Sequence, residues 1–214
     1  MDIKKFIHNL DVKTFVEVGA HFGLDTRDFR AMHPHARIVC FEPDPRNIVV
    51  LHSEGVDRIC ELHELALSDK NGPATFHLSS GTAPCSVDGL LQTHDWSCSS
   101  SLKAPTGHLD VYPTITFPTS VTVECVKLDE FAPLLNTKID FMWVDVQGAE
   151  DLVFAGAQET LKNTHYLFTE YSNRPLYDGQ ITLERLKSLV GPDFQLVHDF
   201  GDDVLLVNQA FVPY

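Results

Sequence analysis

The chain has 214 residues, enough for one α/β domain with a sizeable core. It is 43% hydrophobic and 21% charged, the balance of a globular protein and not of a disordered one. A net charge of −14 repels phosphate backbones and argues against nucleic-acid partners; with no apolar run long enough to span a membrane and no secretory apolar segment, a cytoplasmic protein is expected.

Ile3, Phe6, Ile7 and Leu10 share one face of a predicted N-terminal amphipathic helix. Residues 14–23 then read T-F-V-E-V-G-A-H-F-G. Phe15, Val16 and Val18 suit a buried parallel strand, with Glu17 near its end. Gly19 and Gly23 bracket a tight turn, and Asp25-Thr26 are placed to cap a helix over 26–33. Strand, glycine turn and helix hold nucleotide-like ligands at the mouth of an α/β sheet. A dinucleotide fingerprint, G-x-G-x-x-G, cradles a pyrophosphate on backbone amides. Here the pattern is E-x-G-x-x-x-G. A carboxylate on the strand repels phosphate and suits a cationic amino-acid ligand such as S-adenosylmethionine, which carries a sulfonium and an ammonium.

Residues 37–43, R-I-V-C-F-E-P, form a second apolar run ending in an acid. Glu42 lies one β-α-β unit beyond Glu17, where a carboxylate can accept both ribose hydroxyls of an adenosine or, equally, cap the next helix. Pro45 fits the first turn of a helix over 46–53. A third strand is expected over 59–67, a turn at Asn71-Gly72 and an outward hairpin strand over 73–78. Periodicity fades from 79 to 120, around C-S-S-S-L at 98–102; so long a stretch reads as a lid or substrate loop, or as plain surface loop.

Order resumes with a strand over 121–126 and a short helix to Leu135 capped by Asp129. Residues 139–144 form a buried strand that runs into D-V-Q-G-A-E at 145–150. Ala149, Leu152, Val153, Gly156 and Ala157 share one face of the helix that follows. A strand over 166–169 ends at Glu170, and Leu183, Leu186, Leu189 and Val190 mark an amphipathic helix. Segments 194–200 and 204–211, joined by Gly201-Asp202-Asp203, close the chain as an antiparallel hairpin. Cys40, Cys60, Cys85, Cys98 and Cys125 form no C-x-x-C pair and are odd in number, as reduced thiols would be.

Five segments, V-E-V-G-A-H-F-G (16–23), F-E-P-D-P (41–45), L-A-L-S-D-K-N-G (65–72), V-K-L-D (126–129) and D-F-M-W-V-D-V-Q-G-A-E (140–150), occur in this order. Together the chain resembles the FkbM family of S-adenosylmethionine-dependent methyltransferases over roughly residues 14–170. The resemblance implies a class I, Rossmann-like fold: a seven-stranded, mostly parallel sheet with an antiparallel C-terminal hairpin. The chain is expected to be one domain, with the lid or substrate loop over 79–120 as an insertion. It also implies O-methylation of a hydroxyl on a sugar or small natural product. His21 stands where the family often has Asn, and Trp143 where Lys is common, which leaves the acceptor open. Nothing in the sequence sets the oligomeric state.

The expected cofactor residues are Glu17, Gly19, Ala20, His21, Gly23, Glu42, Ala66, Asp69 and Asp145. The glycines would admit the methionine part, Glu17 would fix its ammonium or the local loop, and Glu42 the ribose. Ala66 to Asp69 would lie beside adenine, with Asp69 on the exocyclic amine or in its own turn. Asp145 and Glu170 end two strands expected to be adjacent. They would either bind Mg²⁺ with the acceptor hydroxyls or supply a base. His94, beside Asp95, is the best of three further base candidates with His21 and His108, each of which equally fits a surface or packing role. A nicotinamide-dependent oxidoreductase and a catalytically silent cofactor-binding domain are the two alternatives.

Overall fold

The computed structural model describes residues 1–82 and 95–212. In chain order the elements are α1 (Ile3–His8), β1 (Thr14–Val18), α2 (Leu24–Met32), β2 (Arg37–Phe41), α3 (Pro45–Ser53), β3 (Glu61–His63), β4 (Ala66–Leu67) and β5 (Gly72–Gly81). There follow α4 (His108–Val111), β6 (Ile115–Val126), β7 (Ile139–Val144), α5 (Glu150–Ala155), α6 (Gln158–Lys162), β8 (Thr164–Glu170), α7 (Leu183–Val190), β9 (Phe194–Asp199) and β10 (Asp203–Asn208).

Seven strands form one sheet in the order β3-β2-β1-β7-β8-β10-β9. Strands β3 through β8 of that order are parallel, and β10 runs antiparallel to both neighbours. Side chains alternate between faces, so β1 feeds two cores. Val16 and Val18 join Val39, Met142 and Val144 under α5 and α7. Phe15 joins Ile38 and Phe141 under α1 and α2, where Ile3, Phe6, Ile7 and Leu10 all pack as the N-terminal periodicity predicts. Helices on both faces explain why β1 and β7 read as near-continuous apolar runs. Complete burial of a side chain such as Phe15 contributes about 1.5–3 kcal/mol.

Four expectations are corrected. The strand expected over 59–67 is two strands: Leu65 N donates to His63 O (3.0 Å), a turn that breaks the ladder. β4 then joins β6 and β5 in a second, three-stranded sheet. The strand expected over 121–126 begins at Ile115, and β5 runs on to Gly81, so both ends of the segment expected as a loop are paired strand. Helix α2 starts at Leu24 behind Gly23, which makes no side-chain cap, because the Thr26 hydroxyl donates to buried Glu17 instead. Asp129 starts no helix of its own, which is replaced by two short 3-10 turns. It caps α6 from a distance, accepting from Glu159 N (2.9 Å) and Thr160 N (2.7 Å).

Candidate active site

The chain crosses from β1 to β2 on one side and reaches β7 on the other, so their carboxyl ends open a crevice. The loop after β1 builds its floor. Gly19, His21 and Gly23 have φ of 91°, 50° and 75°. Gly19 N and Ala20 N both donate to Phe41 O, at 2.9 and 3.1 Å. A Cβ on Gly19 would stand 1.9 Å from the Asp145 carbonyl oxygen. One on Gly23 would meet Val56 and Leu51 within 2.9 Å. The glycines thus let the loop lie flat on β7 and α3.

Glu17 lies beneath this floor and does not line the crevice. Its carboxyl accepts from the Thr26 hydroxyl (2.6 Å) and the Cys40 thiol (3.2 Å), and burial pushes it up to about 8. Of its two expected roles, it fills the local one: it ties α2 to β2.

Glu42 does line the crevice. Its Oε2 accepts from His21 N (2.7 Å), and its Oε1 from Asp44 N (2.8 Å) and Asn47 Nδ2 (3.2 Å). Burial pushes the carboxyl up to about 7 against the pull of these donors. Next to it, fully buried Asp44 takes two bonds from the Arg46 guanidinium, one from Arg46 N and one from the Ser100 hydroxyl (3.1 Å). Arg46 also donates to Ser79 O (2.9 Å) and Ser100 Oγ (3.1 Å). This network fastens residues 95–101 over the crevice, and the backbones of Ser101 and His77 exchange hydrogen bonds that extend β5.

The cavity in this crevice is about 330 Å³. Gly19, Ala20, His21 and Glu42 line it, as do Leu65, Ala66 and Leu67 at the β3 side and Asp145 at the β7 side. Asp69 does not; it is exposed and accepts from the Ser68 hydroxyl (3.1 Å), which assigns it to its turn. His21 Nε2 lies 2.9 Å from Ser97 Oγ and 3.4 Å from Cys98 Sγ, so the imidazole forms part of the wall. His108 is buried among Tyr112, Phe117 and Tyr177 away from the cavity, which makes it a packing residue and not a base. His94 lies outside the described residues. The sequence reading missed Asn47, Ser97, Ser100 and Gln147, all on the cavity wall. The only cue was their place in the F-E-P-D-P-R-N, S-C-S-S-S and D-V-Q-G segments.

At the β7–β8 rim, carboxylate oxygens of Asp145, Glu150 and Glu170 lie within 4.8 Å of one another. Asp145 lines the cavity; Glu150 and Glu170 do not. Gln147, held at φ 54°, donates from Nε2 to Asp145 Oδ1 (2.7 Å) and Glu170 Oε2 (3.1 Å). Glu150 accepts from Val146 N (3.2 Å) and Gly148 N (3.3 Å). Burial and the neighbouring carboxylates push Glu170 up to about 10, so it keeps its proton at neutral pH. Enclosure raises Asp145 too, but hydrogen bonds from Gln147 and Glu170 oppose the rise and make it the more acidic of the pair. An N–H donor thus occupies the place between these carboxylates where a cation would sit, and the Mg²⁺ expectation is not supported.

Among the described residues no Lys or Arg lines the cavity, whereas Asp25, Glu42 and Asp145 do. That donor set opposes a pyrophosphate and fits the ribose, ammonium and sulfonium of S-adenosylmethionine. With this strand order it defines a class I methyltransferase. The family model described as the methyltransferase FkbM domain matches residues 17–204, and the chain belongs to that family. It is 38% identical over 200 residues to the 2-O-methyltransferase NoeI of Sinorhizobium fredii, covering 90% of this chain and 78% of the relative. Among solved structures, the methyltransferase FkbM of Methylobacillus flagellatus superposes with a TM-score of 0.54 at 16% identity. That match covers 92% of this chain, which spans only 44% of that protein's length. Cofactor-bound Rv0187 from MTB gives a TM-score of 0.51 at 12% identity, covering 97% of this chain and 78% of that one. The protein is an S-adenosylmethionine-dependent methyltransferase, and neither the oxidoreductase nor the silent-domain alternative is favoured.

Proposed function

We propose that the enzyme methylates a hydroxyl oxygen of a neutral sugar or small natural product, with Asp145 as the base. The observation that carries this reading is the rim: of three clustered carboxylates, only Asp145 lines the cavity, and a protonated Glu170 and the Gln147 amide support its charge. Bound S-adenosylmethionine supplies an electrophilic methyl group. The chain's own part is to orient the acceptor and take its hydroxyl proton onto Asp145. An anionic acceptor would enter a cavity lined by Asp25, Glu42 and Asp145 with no Lys or Arg among the described lining residues, which favours a neutral one. The name of the 2-O-methyltransferase relative supports oxygen as the methylated atom. Ser97, Cys98 and Ser100 line the cavity, and we read the segment that carries them as part of a lid over the acceptor. No helix among the described residues is long and apolar enough to cross a membrane. Four free cysteines among those residues favour a reducing, cytoplasmic setting.

The test is methyl transfer from labelled S-adenosylmethionine to a panel of neutral glycosides. Asp145→Asn is expected to cost about 10²- to 10⁴-fold in kcat while S-adenosylhomocysteine still binds. EDTA is expected to leave the rate unchanged. Abolition by EDTA with rescue by Mg²⁺ would replace the base with a metal, and full activity in Asp145→Asn would remove it from the chemistry.

A further inference from the structure

We infer that Asn47 is a cofactor-binding residue, its side-chain oxygen accepting a hydrogen bond from one hydroxyl of the adenosine ribose while Glu42 accepts from the other. The inference rests on the methyltransferase reading of the cavity. Asn47 sits in the first turn of α3, is 3% exposed and lines the cavity beside Glu42. Its Nδ2 donates to Glu42 Oε1. A carboxylate oxygen in that contact accepts, so the amide is oriented and Oδ1 is its free end. That oxygen is buried and accepts no hydrogen bond among the described residues. Buried acceptors in native proteins are rarely left so.

Glu42 explains why a second acceptor is needed. Its Oε1 already takes two donors, Asp44 N and Asn47 Nδ2, and its Oε2 takes His21 N. A carboxylate oxygen offers two lone-pair sites. One site therefore remains, on Oε2, and a ribose presents two hydroxyls. Asn47 Oδ1 supplies the acceptor that Glu42 lacks. The division of labour is specific: Glu42 shapes the loop and reads one hydroxyl, and Asn47 reads its neighbour. A ligand without the vicinal diol loses one of these contacts.

The experiment is calorimetry on the full chain with S-adenosylhomocysteine and with its 2′-deoxy and 3′-deoxy analogues. Asn47→Ala is expected to weaken S-adenosylhomocysteine about 3- to 10-fold, the scale of one hydrogen bond. Against one of the two deoxy analogues that loss is expected to vanish, the signature of direct coupling in a double-mutant cycle. Thermal melting establishes that the variant is folded. Asn47→Ser, whose hydroxyl still donates toward Glu42, gives the same pattern if Asn47→Ala does not fold. An equal loss against all three ligands, or no loss, overturns the assignment and leaves Asn47 as a brace for Glu42. Failure of the unaltered protein to bind S-adenosylhomocysteine at all would instead sink the cofactor reading on which the inference stands.

Discussion

Gly19→Ala is expected to be far more damaging than a change of one methyl group suggests. The residue's φ of 91° lies in the left-handed region, where a Cβ costs about 1–2 kcal/mol. The new methyl would also sit 1.9 Å from the Asp145 carbonyl oxygen. Relieving that overlap moves two backbones apart by more than an ångström. Their link, Asp145 N to Val18 O at 3.0 Å, is then lost, at about 1 kcal/mol. Repacking β1 against β7 adds about 1–3 kcal/mol. The sum is about 3–6 kcal/mol, a large part of the ~5–15 kcal/mol that holds a domain together. At about 2–4 °C per kcal/mol for a chain of this size, Tm falls by roughly 6–24 °C. Gly72→Ala is the control: its φ is 104°, but nothing lies within 4 Å of the added methyl. That variant is expected to lose only the strain, and roughly 2–8 °C. The assay is differential scanning fluorimetry of both variants with and without S-adenosylhomocysteine. Equal Tm shifts in the two would refute the close-approach argument, because strain alone would then account for Gly19.

Glu42→Ala is expected to weaken S-adenosylmethionine by about 1.5–3 kcal/mol in calorimetry, since a charge-assisted ribose contact and the shape of the glycine loop are lost together. Glu17, raised by burial to about 8, binds its proton more tightly in the folded chain, so its contribution is full below the unfolded value near 4.5 and is lost as pH rises through 8. Glu17→Gln is therefore expected to flatten that decline and to be more stable than the parent at pH 9 by up to about 4 kcal/mol; parallel denaturation curves from pH 4.5 to 9 would contradict it. Arg46→Lys keeps the charge but loses the two-pronged grip on Asp44, and limited proteolysis is expected to cut residues 95–101 faster. In the parent, cofactor plus acceptor is expected to slow that cleavage; identical rates with and without both would make the segment a plain surface loop.

Much of this was readable from local pattern. Both faces of β1 and β7 are covered, so their apolar runs announce them, and the E-x-G-x-x-x-G spacing with Glu42 marks the crevice. What escaped depends on partners distant in the chain. Asp129 resembles a cap for its own segment, yet the amides it accepts from lie beyond β7. The first part of β6 is rich in Thr, Ser and Pro and largely exposed, so it carries no buried alternation, and only pairing with β5 reveals it. Asp69 and Glu17 are acids at expected positions whose side chains point elsewhere, one into a turn and one beneath the loop. Asn47 and Gln147 matter through the direction of an amide, which no spacing encodes.

Because Asp44 shares its two oxygens between Arg46 and Ser100, the crevice roof and the acid-bearing corner after β2 form one mechanical piece. Loop exchange is the natural way to give such an enzyme a new acceptor, and here it has a hidden boundary. A graft that removes Ser100 strips a donor from the buried carboxylate of Asp44, the residue whose own backbone N–H props Glu42. A chimera built that way would lose affinity for its methyl donor before its new acceptor had been tried, whereas one that retains Ser79, Arg46 and Ser100 as a set can change the surrounding wall freely.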